Sequence, residues 1–224
     1  MPEETMAQTT HYFVESIHRR DNHLSVGFLG ISHLLPALTK CGQNELAFAL
    51  LEQKGNPGWL YSVINGATTI WERWNSYIAE TGTFGDVSMN SFNHYAYGSI
   101  GQWLYRTVLG IQTGEEKDEA GYHRIFLTPS WGGALSFAKG EQETPFGKIT
   151  SSWEKKDNSI VYHCTIPANT TAHLSLPASD HNSVQILEGA AIADTAVSSM
   201  ADFELVSGSY TLKLLTIHSK QNAF

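Results

Sequence analysis

Basic residues are outnumbered by acidic ones in this sequence. Its 224 residues hold 14 Lys and Arg against 22 Asp and Glu, a formal net charge of −8 with histidine neutral. Duplex nucleic acid is held by cations that displace counterions from phosphates. The two basic pairs here, Arg19-Arg20 and Lys155-Lys156, read as solvated surface, so no nucleic-acid partner is expected. Long hydrophobic runs are missing as well: nothing approaches the roughly 20 apolar residues that span a bilayer. The opening MPEETMAQTT has acids where a secretory signal has cations, and it lacks an apolar core. Neither a membrane partner nor a signal peptide is expected on this chain, and the compartment stays open. The two cysteines, Cys41 and Cys164, stand far apart with no second ligand at metal spacing, which argues against a disulfide or zinc framework. No His-x-His or His-x-x-x-His pair, Gly-x-Ser-x-Gly elbow or phosphate loop occurs, and Gly132-Gly133 lacks the spacing of a nucleotide fingerprint. Neither metal nor cofactor is expected. The formal glycosylation sequon Asn169-Thr170-Thr171 carries little weight alone.

What remains is enough apolar material for a core: 42% hydrophobic residues against 16% charged, outside the range of disordered chains. The first half has a helical period. Leu24, Phe28, Ile31, Leu34, Leu35 and Leu38 recur at steps of three and four, with Pro36 expected to kink or shorten that helix and Cys41-Gly42 to stop it. Leu46, Ala49 and Leu50 predict a short helix ended by Lys54–Gly58. A third, over Tyr95, Ile100, Trp103, Leu104, Thr107, Val108 and Ile111, is expected to be capped by Ser91 or Asn90 and to end at Gly110 and Gly114. The second half changes to period two. Ile160–Ile166, His173–Leu176, Phe203–Val206 and Tyr210–Leu214 read as strands, with a last run at Leu215-Thr216-Ile217. Turns are expected at Lys156–Asn158, Pro177–Asp180 and Ser207–Ser209, the pattern of an antiparallel β-sandwich. The polar stretch Thr113–Gly121 marks the boundary, giving domains 1–112 and 113–224.

Chemistry concentrates in residues 56–104. Trp59, Tyr61, Trp71, Trp74 and Tyr77 place five large aromatics within nineteen positions, among them Glu72, Arg73, Asn75, Asp86, Asn90, Asn93 and His94. Sugar rings offer C–H faces that stack on aromatic rings and hydroxyls that need a few polar partners. Aromatics at this density also fill helical cores. Glu72, inside Trp71-Glu72-Arg73-Trp74, is the sharper signal. A long acid among indole rings suits general acid–base work, while an ion pair with Arg73 or an exposed helix face are the plain structural readings. His94 could bind a sugar hydroxyl or orient a carboxylate, or simply open a helix.

The nine residues Gly66-Ala67-Thr68-Thr69-Ile70-Trp71-Glu72-Arg73-Trp74 resemble the catalytic-base motif of the bacterial α-L-rhamnosidases of glycoside hydrolase family 78. The resemblance extends to Gly27-Phe28-Leu29-Gly30, Pro57–Tyr61, Ser91–Ser99, Gln102–Tyr105 and the turn Pro167–Ala172, so it runs from about residue 24 to 176. It implies the closing helices of an (α/α)6 toroid followed by a β-sandwich, and an inverting mechanism with Glu72 as general base. By the same resemblance His94 binds rhamnose hydroxyls, with Trp71, Trp74, Trp59 and Asn93 around the sugar. Rhamnose-containing glycosides or polysaccharides are the implied partners, in a cytoplasmic or periplasmic parent enzyme. About twelve helices make such a toroid, and residues 1–112 supply four or five. Glu15 and Asp21 fit no acid motif. The expectation is a fragment that carries a base without its acid, inactive alone, with exposed helix faces that self-associate. The alternatives are a non-catalytic carbohydrate-binding or structural fragment, or a different inverting glycosidase on the same toroid. A free-standing lectin sandwich is disfavoured because the aromatic cluster lies in the helical half.

Overall fold

The structure is a computed structural model that describes residues 3–114, 116–117, 119–178, 183–190, 192–193 and 200–215. The chain divides into two compact units, residues 1–103 with 132–134, and residues 104–131 with 135–224. Among the described residues, no helix is long and apolar enough to cross a membrane.

The first unit is helical. Helix α1 (Glu3–His18) has no predicted counterpart. Most of its described residues are exposed and only Ile17 is buried, so it carries little of the apolar stripe that betrays a helix. Helix α2 (Phe28–Lys40) buries Ile31, Leu34, Leu35 and Leu38 as the period requires, while Leu24 is buried ahead of its first turn. Pro36 lies inside α2, which nonetheless continues to Lys40. The expected stop is a Schellman closure. Gly42 takes φ +72, its amide donates to Thr39 O at 2.9 Å, and Gln43 donates to Leu38 O at 2.8 Å. Helix α3 (Asn44–Leu51) buries Leu46, Ala47, Phe48 and Leu50. Helix α4 (Trp59–Ile64) precedes a two-strand hairpin, β1 (Tyr77–Ile78) with β2 (Thr83–Phe84).

The expected third long helix needs correction. It begins as a 3-10 turn at Ala96–Ser99, becomes α5 (Ile100–Trp103), and widens into a π-turn at Leu104–Val108. Neither Ser91 nor Asn90 caps it, because the residue before its first turn is Tyr95. The Ser91 hydroxyl instead accepts from the Asn93 amide at 3.1 Å, and Asn90 Nδ2 donates to Ser76 O at 2.9 Å. Gly110 ends the run at φ +74, a site where a Cβ would fall 2.2 Å from Pro129 N.

The second unit holds two five-stranded sheets. One orders β10 (Ile192–Ala193), β11 (Ala201–Leu205), β8 (Thr171–Leu176), β4 (Arg124–Leu127) and β3 (Ile111–Thr113). The other orders β5 (Phe137–Thr144), β6 (Gly147–Lys156), β7 (Ser159–Ile166), β12 (Gly208–Leu215) and β9 (Val184–Glu188). This is the expected β-sandwich, with one parallel pair, β4 with β8, among otherwise antiparallel ladders. Alternation sets the register: Trp153, Tyr162 and Leu212 pair across β6, β7 and β12, and Leu127, Leu174 and Phe203 across β4, β8 and β11. All six are buried. The turn at Asp157 takes φ +51, and the Pro167–Thr170 turn closes with Thr170 Oγ1 donating to Pro167 O at 2.8 Å. Of the predicted punctuation, Ser179 and Asp180 of one turn, Glu115 and Asp118 of the linker, and Thr216-Ile217 lie outside the described residues.

Burial separates the two thiols. Cys164 sits in the core with its pKa pushed up to about 12 by desolvation, whereas Cys41 is half-buried. At pH 8 a thiol titrating near 12 is thiolate only about once in 10⁴ molecules. Iodoacetamide on the native chain at that pH is expected to label Cys41 alone, with Cys164 reacting only after unfolding. Mass spectrometry showing equal native labelling of both would contradict this placement.

Candidate active site

The segment that carries Glu72 is neither helix nor strand. After α4 the chain runs irregularly from Asn65 to Ser76, so the plain reading of Glu72 on a helix face does not hold. What orders this stretch is side-chain and long-range backbone hydrogen bonding. Tyr61, from α4, donates its hydroxyl to Tyr77 O and accepts from the Ala79 amide, both at 3.0 Å, fixing the start of the hairpin. The Ser76 hydroxyl, fully buried, accepts from the Arg73 amide at 3.1 Å.

Glu72 reaches an open cleft of about 350 Å³ lined by Gly27, Phe28, Arg73, Trp74, Asn75, Met89 and Tyr97 beside it. Its Oε2 accepts from the Ser91 amide at 2.6 Å, while its own amide donates to Ser91 O at 2.9 Å. The cleft wall is an aromatic assembly. Trp74 and Tyr97 stack with centroids 3.7 Å apart and planes 5° from parallel, and Trp59 meets Trp74 edge-on at 5.4 Å. Each indole is tied by its N–H: Trp59 Nε1 donates to Tyr97 O at 2.9 Å, and Trp74 Nε1 to Val26 O at 3.0 Å. Burial raises the Tyr97 phenol above its ordinary range; Glu72 nearby adds to that rise and Arg73 opposes it. Arg73 stands 3.9 Å from Asp86. The Ser88 hydroxyl and amide, and then Arg73, hold the Asp86 carboxyl below the usual carboxylate range.

His94 belongs to a neighbouring hollow with Thr69, Ile70, Asn93, Tyr95 and Gly98. Phe28 joins the two, lining the Glu72 cleft and stacking on His94 at 4.8 Å with planes 21° apart. The Ala96 amide donates to His94 Nδ1 at 3.3 Å, so in the neutral ring the proton sits on Nε2 as a free donor.

The residues predicted around a sugar thus separate into two groups. Glu72 and Trp74 line the open cleft, and His94 and Asn93 the adjoining hollow. Trp59 and Trp71 are each only 7% exposed and do not line that cleft: Trp59 meets Trp74 edge-on, and Trp71 stands edge-on to Phe92 in a separate hollow with Thr69, Tyr77 and Phe84. Sequence reasoning gave Tyr97 no role and placed Phe28 in the apolar stripe of α2, whereas Phe28 is exposed at the cleft; both fall in the segments that carry the family resemblance. Among the described residues, no group of three or more His, Cys, Asp or Glu could hold a metal ion.

A carboxylate and an arginine thus share an aromatic-walled cleft, with a histidine donor in the adjoining hollow. The comparisons name the family. Residues 1–108 match the bacterial alpha-L-rhamnosidase 6 hairpin glycosidase domain, and residues 110–191 match the bacterial alpha-L-rhamnosidase C-terminal domain. The chain belongs to the bacterial α-L-rhamnosidase family, as a segment from its C-terminal portion. It is 40% identical over 197 residues to an alpha-L-rhamnosidase of Streptomyces avermitilis, covering 88% of this chain and 18% of that protein. It is 39% identical over 186 residues to one of Formosa agariphila, covering 83% and 20%. The crystal structure of the Streptomyces avermitilis enzyme complexed with L-rhamnose superimposes with a TM-score of 0.86 at 37% identity, over 96% of this chain and 20% of that one. The chain therefore spans about a fifth of the length of these relatives.

Trp59 tests whether the wall behind the cleft is held as described. Trp59→Phe keeps an aromatic ring but removes the indole N–H, one of two donors to the Tyr97 carbonyl; losing that bond costs about 0.5–1.5 kcal/mol, and the smaller ring adds to the loss. Urea unfolding followed by fluorescence is expected to show that loss. A variant as stable as the parent would mean that the bond does not hold the wall.

Proposed function

We propose that this chain supplies the water-activating side of an inverting α-L-rhamnosidase site, with Glu72 as general base. The observation that supports this best is the placement of Glu72 in the aromatic cleft with Oε2 engaged by a backbone donor, which leaves Oε1 to take a proton. In the reaction, water oxygen bonds to the anomeric carbon as its proton passes to Glu72. The glycosidic C–O bond breaks on the opposite face, and the leaving oxygen is protonated by a second carboxyl group. Inverting pairs stand roughly 6.5–9.5 Å apart to admit that water. Among the described residues, Glu72 is the only carboxylate lining this cleft, so we assign the acid to the remainder of the enzyme and expect negligible turnover by this chain alone. His94, through Nε2–H, donates to a rhamnose hydroxyl. Trp74 with Trp59 behind it, Trp71 and Asn93 shape the subsite. On this reading residues 1–112 are the end of an incomplete (α/α)6 toroid and residues 113–224 its C-terminal sandwich, and the substrates are rhamnose-containing glycosides or polysaccharides.

The decisive experiment is Glu72→Gln in the full-length enzyme that carries this segment. Loss of the base is expected to lower kcat on an aryl α-L-rhamnoside by about 10²–10⁴-fold while rhamnose still binds within a few-fold. Near-normal turnover would remove Glu72 from the role.

Exposed apolar side chains support a second expectation for the isolated chain. Leu29 is 92% exposed and Val87 86%, and Val63 and Ile64 are also exposed, the kind of surface that associates. Size-exclusion chromatography with light scattering is expected to show self-association that grows with concentration. A monodisperse monomer that binds no apolar dye would refute it.

A further inference from the structure

Between Thr69 and His94 the chain makes a long excursion through the hairpin, yet both ends of it return to the same place. Four hydrogen bonds join residues 69–72 to residues 91–94. The Glu72 amide donates to Ser91 O at 2.9 Å and the His94 amide to Ile70 O at 2.8 Å. The Ser91 amide donates to Glu72 Oε2 at 2.6 Å, and Thr69 Oγ1 donates to Phe92 O. Neither segment is helix or strand, so these bonds take the place of a regular ladder in satisfying the backbone.

We propose that this staple makes Ser91 and Thr69 positioning residues that set Glu72 and His94 relative to one another; this rests on the reading of Glu72 as base and His94 as sugar ligand. The two ends of the staple do different jobs. The Ser91 amide is a charge-assisted donor that fixes one carboxylate oxygen and so aims the other, which bears on the chemical step. The Thr69 hydroxyl anchors the Phe92 carbonyl two residues before His94, and its neighbour Ile70 holds the His94 amide, which bears on sugar binding. Neither Thr69 nor Ser91 lines the Glu72 cleft, and Thr69 lies at the edge of the His94 hollow; on this proposal they act through Glu72 and His94. A catalytic group must be held to within about half an ångström of its productive geometry, and an irregular segment has no ladder of its own to provide that.

The test is the split between kcat and KM in the full-length enzyme that carries this segment. Ser91→Pro deletes the donor to Glu72, along with the hydroxyl that accepts from the Asn93 amide, and is expected to lower kcat at least tenfold with KM within about threefold. Thr69→Val removes only the hydroxyl and is expected to raise KM at least fivefold with kcat nearly unchanged, and Thr69→Ser, which keeps the hydroxyl, is expected to restore KM. In the isolated chain, Glu72→Ala is expected to speed hydrogen exchange of the Ser91 amide at least tenfold while distant core amides keep their protection. Because Ser91→Pro also restricts the backbone, the Thr69 pair and the exchange measurement stand independently of it. If Thr69→Val matches wild type, or lowers kcat and raises KM together with no rescue by Thr69→Ser, the staple has no positioning role. If Glu72→Gln turns over normally in the same assay, it is the underlying assignment of the base that fails instead.

Discussion

The bond from the Ser91 amide to the Glu72 carboxylate is the point on which the helical unit's surface is organised. A carboxylate on a loop is free to rotate and to pair with the nearest cation, and Arg73 follows it directly in sequence. Here one oxygen is held at 2.6 Å by a backbone donor, a partner that has no rotamers and cannot swing away. The reciprocal bond from the Glu72 amide to Ser91 O makes the arrangement bidentate at the level of the chain. Arg73, relieved of Glu72, stands within 3.9 Å of Asp86 on the hairpin side. The acid and the base of the Trp-Glu-Arg-Trp motif are thereby kept apart within one cleft, and a substrate can meet both.

That arrangement depends in turn on a wall that does not move. Trp74 and Tyr97 stack almost face to face, and both of the indoles that support the wall spend their single N–H on a backbone carbonyl. Aromatic pairs of this sort add to what their burial alone contributes, and the N–H bonds fix which way each ring faces. Phe28, at the first residue of α2, extends the wall to His94. A helix start, an irregular motif and a 3-10 turn thus share one layer of rings, although they are distant in sequence.

Much of this was legible in the sequence, and the reasons differ by element. The α2 stripe and the sandwich alternation follow from periods of 3.6 and 2 that burial enforces. Ile31, Leu35 and Leu38 on one hand, and Tyr162, Cys164 and Leu212 on the other, are buried as those periods predict. Glu72 stood out first as a long acid between indole rings and His94 as a residue able to bind a hydroxyl, each beside a plain structural reading; it was the resemblance of the surrounding residues to a family motif that gave them roles. The helix α1 was illegible because it buries almost nothing. The cap at Ser91 was misread because a serine before a helical period is ordinarily a cap, whereas here its backbone serves a carboxylate 19 positions earlier. Long-range bonds of that kind leave no periodic trace.

The same contrast explains why Trp59 and Trp71 are buried while Trp74 lines the Glu72 cleft. Trp59 and Trp71 are as apolar as Trp74, and spacing alone could not rank the three. Their ranking comes from the chain path. Trp59 opens α4 and faces inward, where its N–H can reach Tyr97 O. Trp71 precedes the residue whose amide is bound to Ser91 O, which turns its ring toward Phe92 and away from the cleft. Trp74, three residues on and past the Ser76 bond to Arg73, is left facing the opening. In an irregular segment the hydrogen bonds, not the periodicity, decide which side chain reaches the cleft: the half-buried Trp74 lines it with Trp59 edge-on against its ring, while the buried Trp71 packs on Phe92.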